Sequence, residues 1–325
     1  MKDKLQSAMT DAAAFPAQDG PVAILMGVYE GEKYLIAQLD SIAAQSYANW
    51  SLTISDDSPN TGSSTLISRW HDEHPNHDMA VVPGPRNGFA RNFLTLIAQT
   101  PKEAQFAALC DQDDVWFPDK IARAVAALQR AETGRPALYS AATVICDADL
   151  RAQRPSPPFC KAPDFRNALV QSIGGGNTMV LNRAAIDLAQ ACLPLDADPV
   201  THDWWLYQIV SGHGGLILRD DAPVLLYRQH GGNIIGANMS YKARMDRVRA
   251  LLTGRFRTWN ACNLTALDSA MPYLIPQARQ TLLQFAAARE GPVLNRLRAL
   301  YHARVFRQSS LGTAALYVAC LLKRL

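Results

Sequence analysis

Cysteines at metal-binding or disulfide spacing are missing from this sequence. The six cysteines (Cys110, Cys146, Cys160, Cys192, Cys262, Cys320) lie far apart and no two form a CxxC pair. That argues against a cysteine-based zinc module or a disulfide-stapled secreted fold; free or buried thiols in a reducing compartment are expected. Long apolar runs are missing as well. Leu311 to Leu322, the longest late run, has twelve residues, whereas a membrane-spanning helix needs about twenty. Residues 1–20 are polar and lack an apolar h-region, so they read as a loose leader and not a signal peptide. A cytoplasmic location is expected. No internal repeat or low-complexity tract is present, and charged residues make up 19% against 48% hydrophobic. A disordered or collagen-like chain is thereby excluded. The 325 residues fit one large domain, or one domain with an appendage.

The formal net charge of +3 conceals an asymmetry. Before residue 240 there are 18 Lys and Arg against 26 Asp and Glu; from Ser240 onward there are 14 against 3. An acidic body with a strongly basic tail suggests two tasks, the tail meeting something anionic.

From Val22 short apolar runs alternate with amphipathic stretches. Val22–Val28 is continuously apolar, as a strand covered on both faces must be. Leu35, Leu39 and Ile42 then fall on one helical face. Further strands are expected at Ser51–Ser55, Met79–Val82 and Phe106–Cys110, with helices over 63–73 and 89–99 and another opening with Pro118 at its first position. Four such alternations predict a mostly parallel sheet flanked by helices. After residue 136 the pattern is irregular. Strands are expected at Leu138–Ile145, Thr178–Leu181, Leu216–Leu218 and Val224–Tyr227, and a helix at His202–Ser211. Beyond 240 only helices are expected, over 241–252, 259–270, 277–289, 293–306 and 313–323.

In an open parallel sheet, ligands bind beyond the carboxyl ends of the strands. Tyr29-Glu30, Asp56-Asp57 and Asp111-Gln112-Asp113-Asp114 stand at three such ends. Crowded carboxylates repel one another unless a cation or hydrogen-bond donors compensate, and a divalent metal shared with phosphate oxygens does so. The alternative is that they cap the helix near Pro118. Asp203, beside Trp204 and Trp205 at the start of an apolar helix, is a candidate base if partly desolvated, or simply a helix N-terminal carboxylate. His230 could reach a metal or diphosphate, or be a structural hydrogen-bonding residue. Gly174-Gly175-Gly176-Asn177-Thr178 is a turn that could admit an acceptor ring or merely precede a strand.

Together Val22–Leu35, Gln38–Ile42, Gln45-Ser-Tyr47, Ile54–Ser58, Arg86–Phe93, Cys110–Lys120 and Tyr227–Asn233 resemble the family 2 glycosyltransferases of GT-A fold, in particular their rhamnosyltransferase-like branch. The resemblance covers about residues 21–235 and implies a nucleotide-sugar-binding α/β domain over 21–238 (donor half 21–135, acceptor half 136–238), with a basic helical extension over 239–325. By the same resemblance, Asp111 of the Asp111-Gln112-Asp113 motif faces the donor ribose, Asp113 binds Mn²⁺ or Mg²⁺, and Tyr29 and Asp57 hold the nucleoside; Gln112 and Glu30 are counted with the donor residues, and His230 with the metal from its position alone. Arg86, Asn87 and Arg91 approach the donor's phosphates. Asp203 is the base, and Gly175, Gly176, Asn177, His202 and Trp204 face the acceptor. Gly27, Glu30 and His202 depart from the usual Thr/Ser, Asn and Glu.

The activity so implied is inverting, metal-dependent transfer of a sugar onto a saccharide or lipid-linked saccharide in cell-surface polysaccharide synthesis. L-rhamnose from dTDP-rhamnose is favoured; UDP-galactose or UDP-glucose is the alternative donor, and a non-catalytic nucleotide-sugar binder the alternative function. In the tail, Leu294, Leu297, Leu300 and Tyr301 form a stripe flanked by Arg296, Arg298 and Arg307. Such a helix packs on the body or lies on an anionic membrane surface. No nucleic-acid module is visible.

Overall fold

The structure, a computed structural model, describes residues 20–194, 197–231 and 254–325. The leader apart from Gly20, the helix expected over 241–252 and the boundary at 238/239 lie outside the described residues.

The donor half is built as its apolar runs demand. Strands β1 (Val22–Val28), β2 (Trp50–Asp56), β3 (Met79–Pro83) and β4 (Phe106–Asp111) are all parallel, in the order β3-β2-β1-β4. Helices α1 (Leu35–Ala43), α2 (Gly62–Glu73) and α3 (Gly88–Ala98) connect them. α1 buries Leu35, Leu39 and Ile42 against one sheet face, and α3 buries Phe93, Leu94 and Ile97 against the other. Each such side chain contributes about 1.5–3 kcal/mol by leaving water. After β5 (Val115–Trp116), helix α4 (Lys120–Leu128) starts two residues later than expected. Pro118 and Asp119 instead form a turn closed by the Lys120 N–H on the Phe117 carbonyl (3.1 Å).

Beyond residue 136, where the acceptor half was expected, the parallel pattern breaks. This stretch comprises β6 (Ala137–Cys146), β7 (Ala152–Pro155), α5 (Phe165–Ala168), β8 (Val180–Asn182), α6 (Arg183–Ala191), α7 (His202–Gly212) and β9 (Leu216–Arg228). β8 runs antiparallel to both β4 and β6, extending the sheet as β4-β8-β6-β9-β5. The two short strands expected at 216–218 and 224–227 are one strand, with register shifts along its pairing to β6. Its polar middle reads as a break in sequence but is held in place. Asp220 accepts from Arg123 Nη2 (2.6 Å) and from the Tyr139 hydroxyl (2.8 Å).

The C-terminal helices α8 (Arg255–Ala266), α9 (Pro276–Ala287), α10 (Val293–Ala303) and α11 (Ser310–Leu321) share one apolar core with the body. Asn167 Nδ2 donates to the Phe306 carbonyl (2.9 Å), and Asn263 Oδ1 accepts from the Val200 N–H (3.0 Å). Part of the tail's basic charge has partners within the fold. Arg279, Arg289 and Arg296 donate to main-chain carbonyls, Arg289 to that of Leu325 and Arg296 to Gly291, Cys320 and Leu321. The Cys320 and Leu321 carbonyls close α11, where helix-end carbonyls lack helical partners, and the Arg296 guanidinium satisfies them. The expected stripe also divides: Leu300 is buried, whereas Leu294 and Tyr301 are exposed. All six cysteines are free thiols. No helix among the described residues is long and apolar enough to cross a membrane.

Candidate active site

Register brings the donor residues together. In the parallel ladder Val28 pairs with Asp56, and Gly27 with Asp111, so the loops after β1, β2 and β4 leave the same edge. They are stitched to one another by hydrogen bonds. Gln112 accepts from the Tyr29 N–H (2.7 Å) and donates to its carbonyl (2.9 Å). The Glu30 N–H donates to Ser58 Oγ (2.8 Å), and the Gly31 N–H to Ser63 Oγ (2.9 Å). The nearly buried carboxylate of Asp57 accepts the Arg86 N–H at 2.6 Å. Glu30 (φ 48°) and Arg86 (φ 53°) both hold left-handed backbone, a strained conformation common at ligand sites. Tyr29 keeps its ring 57% exposed and available for stacking. Arg86 and Asn87 are exposed beside it.

Two donor-side residues have other partners. The Gln112 amide is occupied with the Tyr29 backbone, so it shapes the loop. Arg91 pairs with Asp198 (2.5 Å) and donates to the Pro194 carbonyl (3.3 Å), tying α3 to the loop that precedes α7.

Beyond β4 the carboxylates take distinct partners. Asp113 Oδ2 lies 2.7 Å from His230 Nε2. Asp114, fully buried, accepts from Asn177 Nδ2 (2.5 Å) and the Arg228 N–H (3.3 Å). None of them caps α4, whose N-cap Asp119 makes no side-chain cap bond. Burial and the neighbouring Asp113 and Asp203 push the Asp111 carboxyl up to about 7, against the opposing pull of Lys120.

The acceptor side is assembled by α7. Its N-cap Thr201 accepts the Trp204 N–H (3.3 Å), and Asp203 Oδ1 accepts the same N–H at 2.6 Å. Burial raises the Asp203 carboxyl, while donors from Thr201, Trp204 and Gly176 pull it back. Asp203 is close enough for its charge to be felt at Asp111. Gly175 is exposed next to it. Gly176, Asn177, His202 and Trp204, the other residues expected on the acceptor side, are buried. Asn177 braces Asp114, and Trp204 Nε1 donates to the Ala168 carbonyl (2.6 Å).

Two residues at the site escaped the sequence reading. Arg228, 4% exposed, donates to the carbonyls of Asp113 (2.8 Å) and Ala148 (2.6 Å) and sits 4.3 Å from the Tyr34 ring centroid. Lys120 is fully buried, with Nζ 3.2 Å from the Trp116 ring centroid, and feels Cys110, Asp114 and Asp111. A charged residue ending a strand and another beginning an apolar helix carry no periodic signal. Only the cluster of acids they face could have singled them out.

The family model for glycosyl transferase family 2 matches residues 23–187, about half of the chain and all of the donor half's strands. The chain belongs to glycosyl transferase family 2. This family 2 glycosyltransferase is 26% identical over 230 residues to the dTDP-rhamnosyl transferase RfbG of Shigella flexneri, covering 69% of this chain and 78% of that one. It is also 26% identical over 112 residues to the putative glycosyltransferase EpsE of Bacillus subtilis (strain 168), covering 34% and 40%. Among solved structures its fold is similar to S. aureus TarS 1–349 in complex with UDP-GlcNAc (TM-score 0.52, 13% identity, 87% of this chain and 80% of that one). It is likewise similar to the mannosyltransferase PcManGT of Pyrobaculum calidifontis in complex with GDP-Man and Mn²⁺ (TM-score 0.51, 18% identity, 97% and 89%). The enzyme is thus a glycosyltransferase of GT-A fold with C-terminal helices.

Proposed function

We propose that this glycosyltransferase moves a sugar from a nucleoside diphosphate donor onto an acceptor hydroxyl with inversion, and that Asp203 is the base. The observation that carries this reading is the place of Asp203. It is a half-buried carboxylate at the edge where the donor loops converge, raised by desolvation and near enough to perturb Asp111. A carboxylate poised above its ordinary range is a better proton acceptor at neutral pH. Tyr29 would stack on the donor base, Asp57 would hold its ring, and Arg86 and Asn87 would meet the phosphates.

Asp113 and His230 fit a divalent cation. Their side chains stand 2.7 Å apart among carboxylates that repel one another, and an oxygen-imidazole pair suits Mn²⁺ or Mg²⁺. No group of three protein ligands occurs among the described residues, so diphosphate oxygens and water would complete the shell. Such a cation neutralises charge on the leaving diphosphate. Arg228 would hold the Asp113 backbone in place for it.

For the donor sugar, dTDP-rhamnose is favoured by the likeness to RfbG, with UDP-galactose and UDP-glucose as alternatives. The acceptor would be a saccharide or lipid-linked saccharide of a cell-surface polymer, reached from the cytoplasm. A panel of nucleotide sugars with Mn²⁺ tests this reading, with melting shifts and nucleoside diphosphate release as readouts. The cognate donor should raise the melting temperature by mass action and be turned over by the wild type but not by Asp203→Asn. Equal donor binding with no release from either protein would leave a sugar-nucleotide binder instead.

A further inference from the structure

Two departures from the family pattern, Gly27 and His202, meet in space through Phe93. A Cβ on Gly27 would lie 3.1 Å from Phe93 Cε2. On its far side the Phe93 ring stacks on the His202 imidazole, centroids 3.9 Å apart and planes at 22°, and Phe89 meets that imidazole edge-on at 6.1 Å. His202 is 4% exposed, and neither of its ring nitrogens has a hydrogen-bond partner. Beyond the imidazole lies Gly176. A Cβ there would overlap His202 Nε2 and stand 3.3 Å from Cδ2 and Cε1. The backbone N–H of that same glycine lies close enough to Asp203 to favour its charged form.

A buried imidazole without polar partners costs stability, so its use here is its shape. The flat ring fills the slot between Phe93 and a bare backbone. We propose that His202 is a positioning residue, its ring wedged between Phe93 and Gly176 so that the start of α7 and the Gly176 backbone keep their places around the Asp203 carboxylate. The role rests on the reading of Asp203 as the base; the packing does not.

A double-mutant cycle tests it. His202→Ala removes the surface against which Gly176 rests, and Gly176→Ala drives a methyl group into the ring. Each single change should lower kcat on the order of ten- to a hundredfold, with the donor KM unchanged, as expected for a displaced reacting group. In the double variant the methyl group occupies space the ring has vacated, so kcat should fall by much less than the product of the two losses. A readout independent of turnover comes from protein labelled with ¹⁵N-glycine. The Gly176 amide, assigned by its loss in Gly176→Ala, should shift on Asp203→Ala and likewise on His202→Ala. Should His202→Ala not fold, His202→Gln takes its place in the cycle. Multiplicative losses, or a Gly176 amide indifferent to His202, would overturn the proposal. A shifting amide in a protein that turns over no donor would support the packing and overturn the assignment of Asp203 as base.

Discussion

His202 carries an acid-stability signature that can be worked out from its surroundings. Burial lowers its pKa from the ordinary 6.5 of a histidine to about 3. The unfolded chain therefore takes up a proton below pH 6.5 that the folded chain refuses. The sign follows: the stability associated with the neutral ring is complete above pH 6.5 and is lost progressively as pH falls toward 3. Each pH unit in that window removes about 1.4 kcal/mol. At pH 5.0 the loss is thus about 2 kcal/mol. An unfolding entropy of about 2.1 cal/mol/K per residue makes this roughly 3 °C in Tm for a chain of this length. The comparison is wild type against His202→Gln, melted at pH 7.5 and pH 5.0. At pH 7.5 the difference reports packing and hydrogen bonding alone. At pH 5.0 it should move by roughly 3 °C in favour of the glutamine variant, because only the wild type bears the protonation penalty. Every other titrating group is common to both proteins and cancels. A difference that stays the same at both pH values would mean that the ring accepts a proton in place, and the slot would not be the apolar one described.

Other outcomes follow from the same geometry. Asp203→Asn should keep donor binding and lose turnover by about 10²–10⁴-fold. In the wild type, the acid limb of kcat should fall above the ordinary carboxylate range because burial raises this group; an acid limb at or below that range would contradict the desolvated site. Arg228→Lys cannot reproduce the two guanidinium bonds to the Asp113 and Ala148 carbonyls, so it should lower Tm by the equivalent of about 2–4 kcal/mol and weaken donor binding. An unchanged Tm in a melting scan would rule out the brace. Asp113→Asn should keep the fold but abolish the gain in donor affinity that Mn²⁺ confers; titrations with Mn²⁺ and with EDTA that still differ would move the metal elsewhere.

Much of the donor half was legible before any coordinates. Four apolar runs separated by amphipathic stretches leave little choice but parallel strands with covering helices, and parallel strands bring their carboxyl ends to one edge. That placed Tyr29, Asp57 and Asp111 correctly relative to the sheet. The acceptor half was less legible because its cues are not periodic. The polar Arg219–Asp221 stretch reads as a break, yet Asp220 is satisfied by Arg123 and Tyr139, residues distant in sequence. The basic tail suggested an anionic partner; what sequence did not show is that Arg289 and Arg296 also donate to main-chain carbonyls within the fold.

Sequence by itself determined which residues could be chemical: the acids at strand ends, Asp203 at a helix start, and the family to which their arrangement belongs. Tertiary structure alone decided which partners surround each of them. Gln112 and Arg91 have the chemistry to bind a donor, but hydrogen bonds to Tyr29 and an ion pair to Asp198 commit them to the scaffold. Asn177, His202 and Trp204 are polar or amphipathic enough to meet a sugar, but they are covered by other elements. Arg228 and Lys120 became visible only once β9 and α4 were packed against the acidic loop. The physical reason is common to all of these. A residue's type sets which bonds it can form, but burial and the competing partner nearest in space decide which one it forms, and that partner comes from a distant part of the chain.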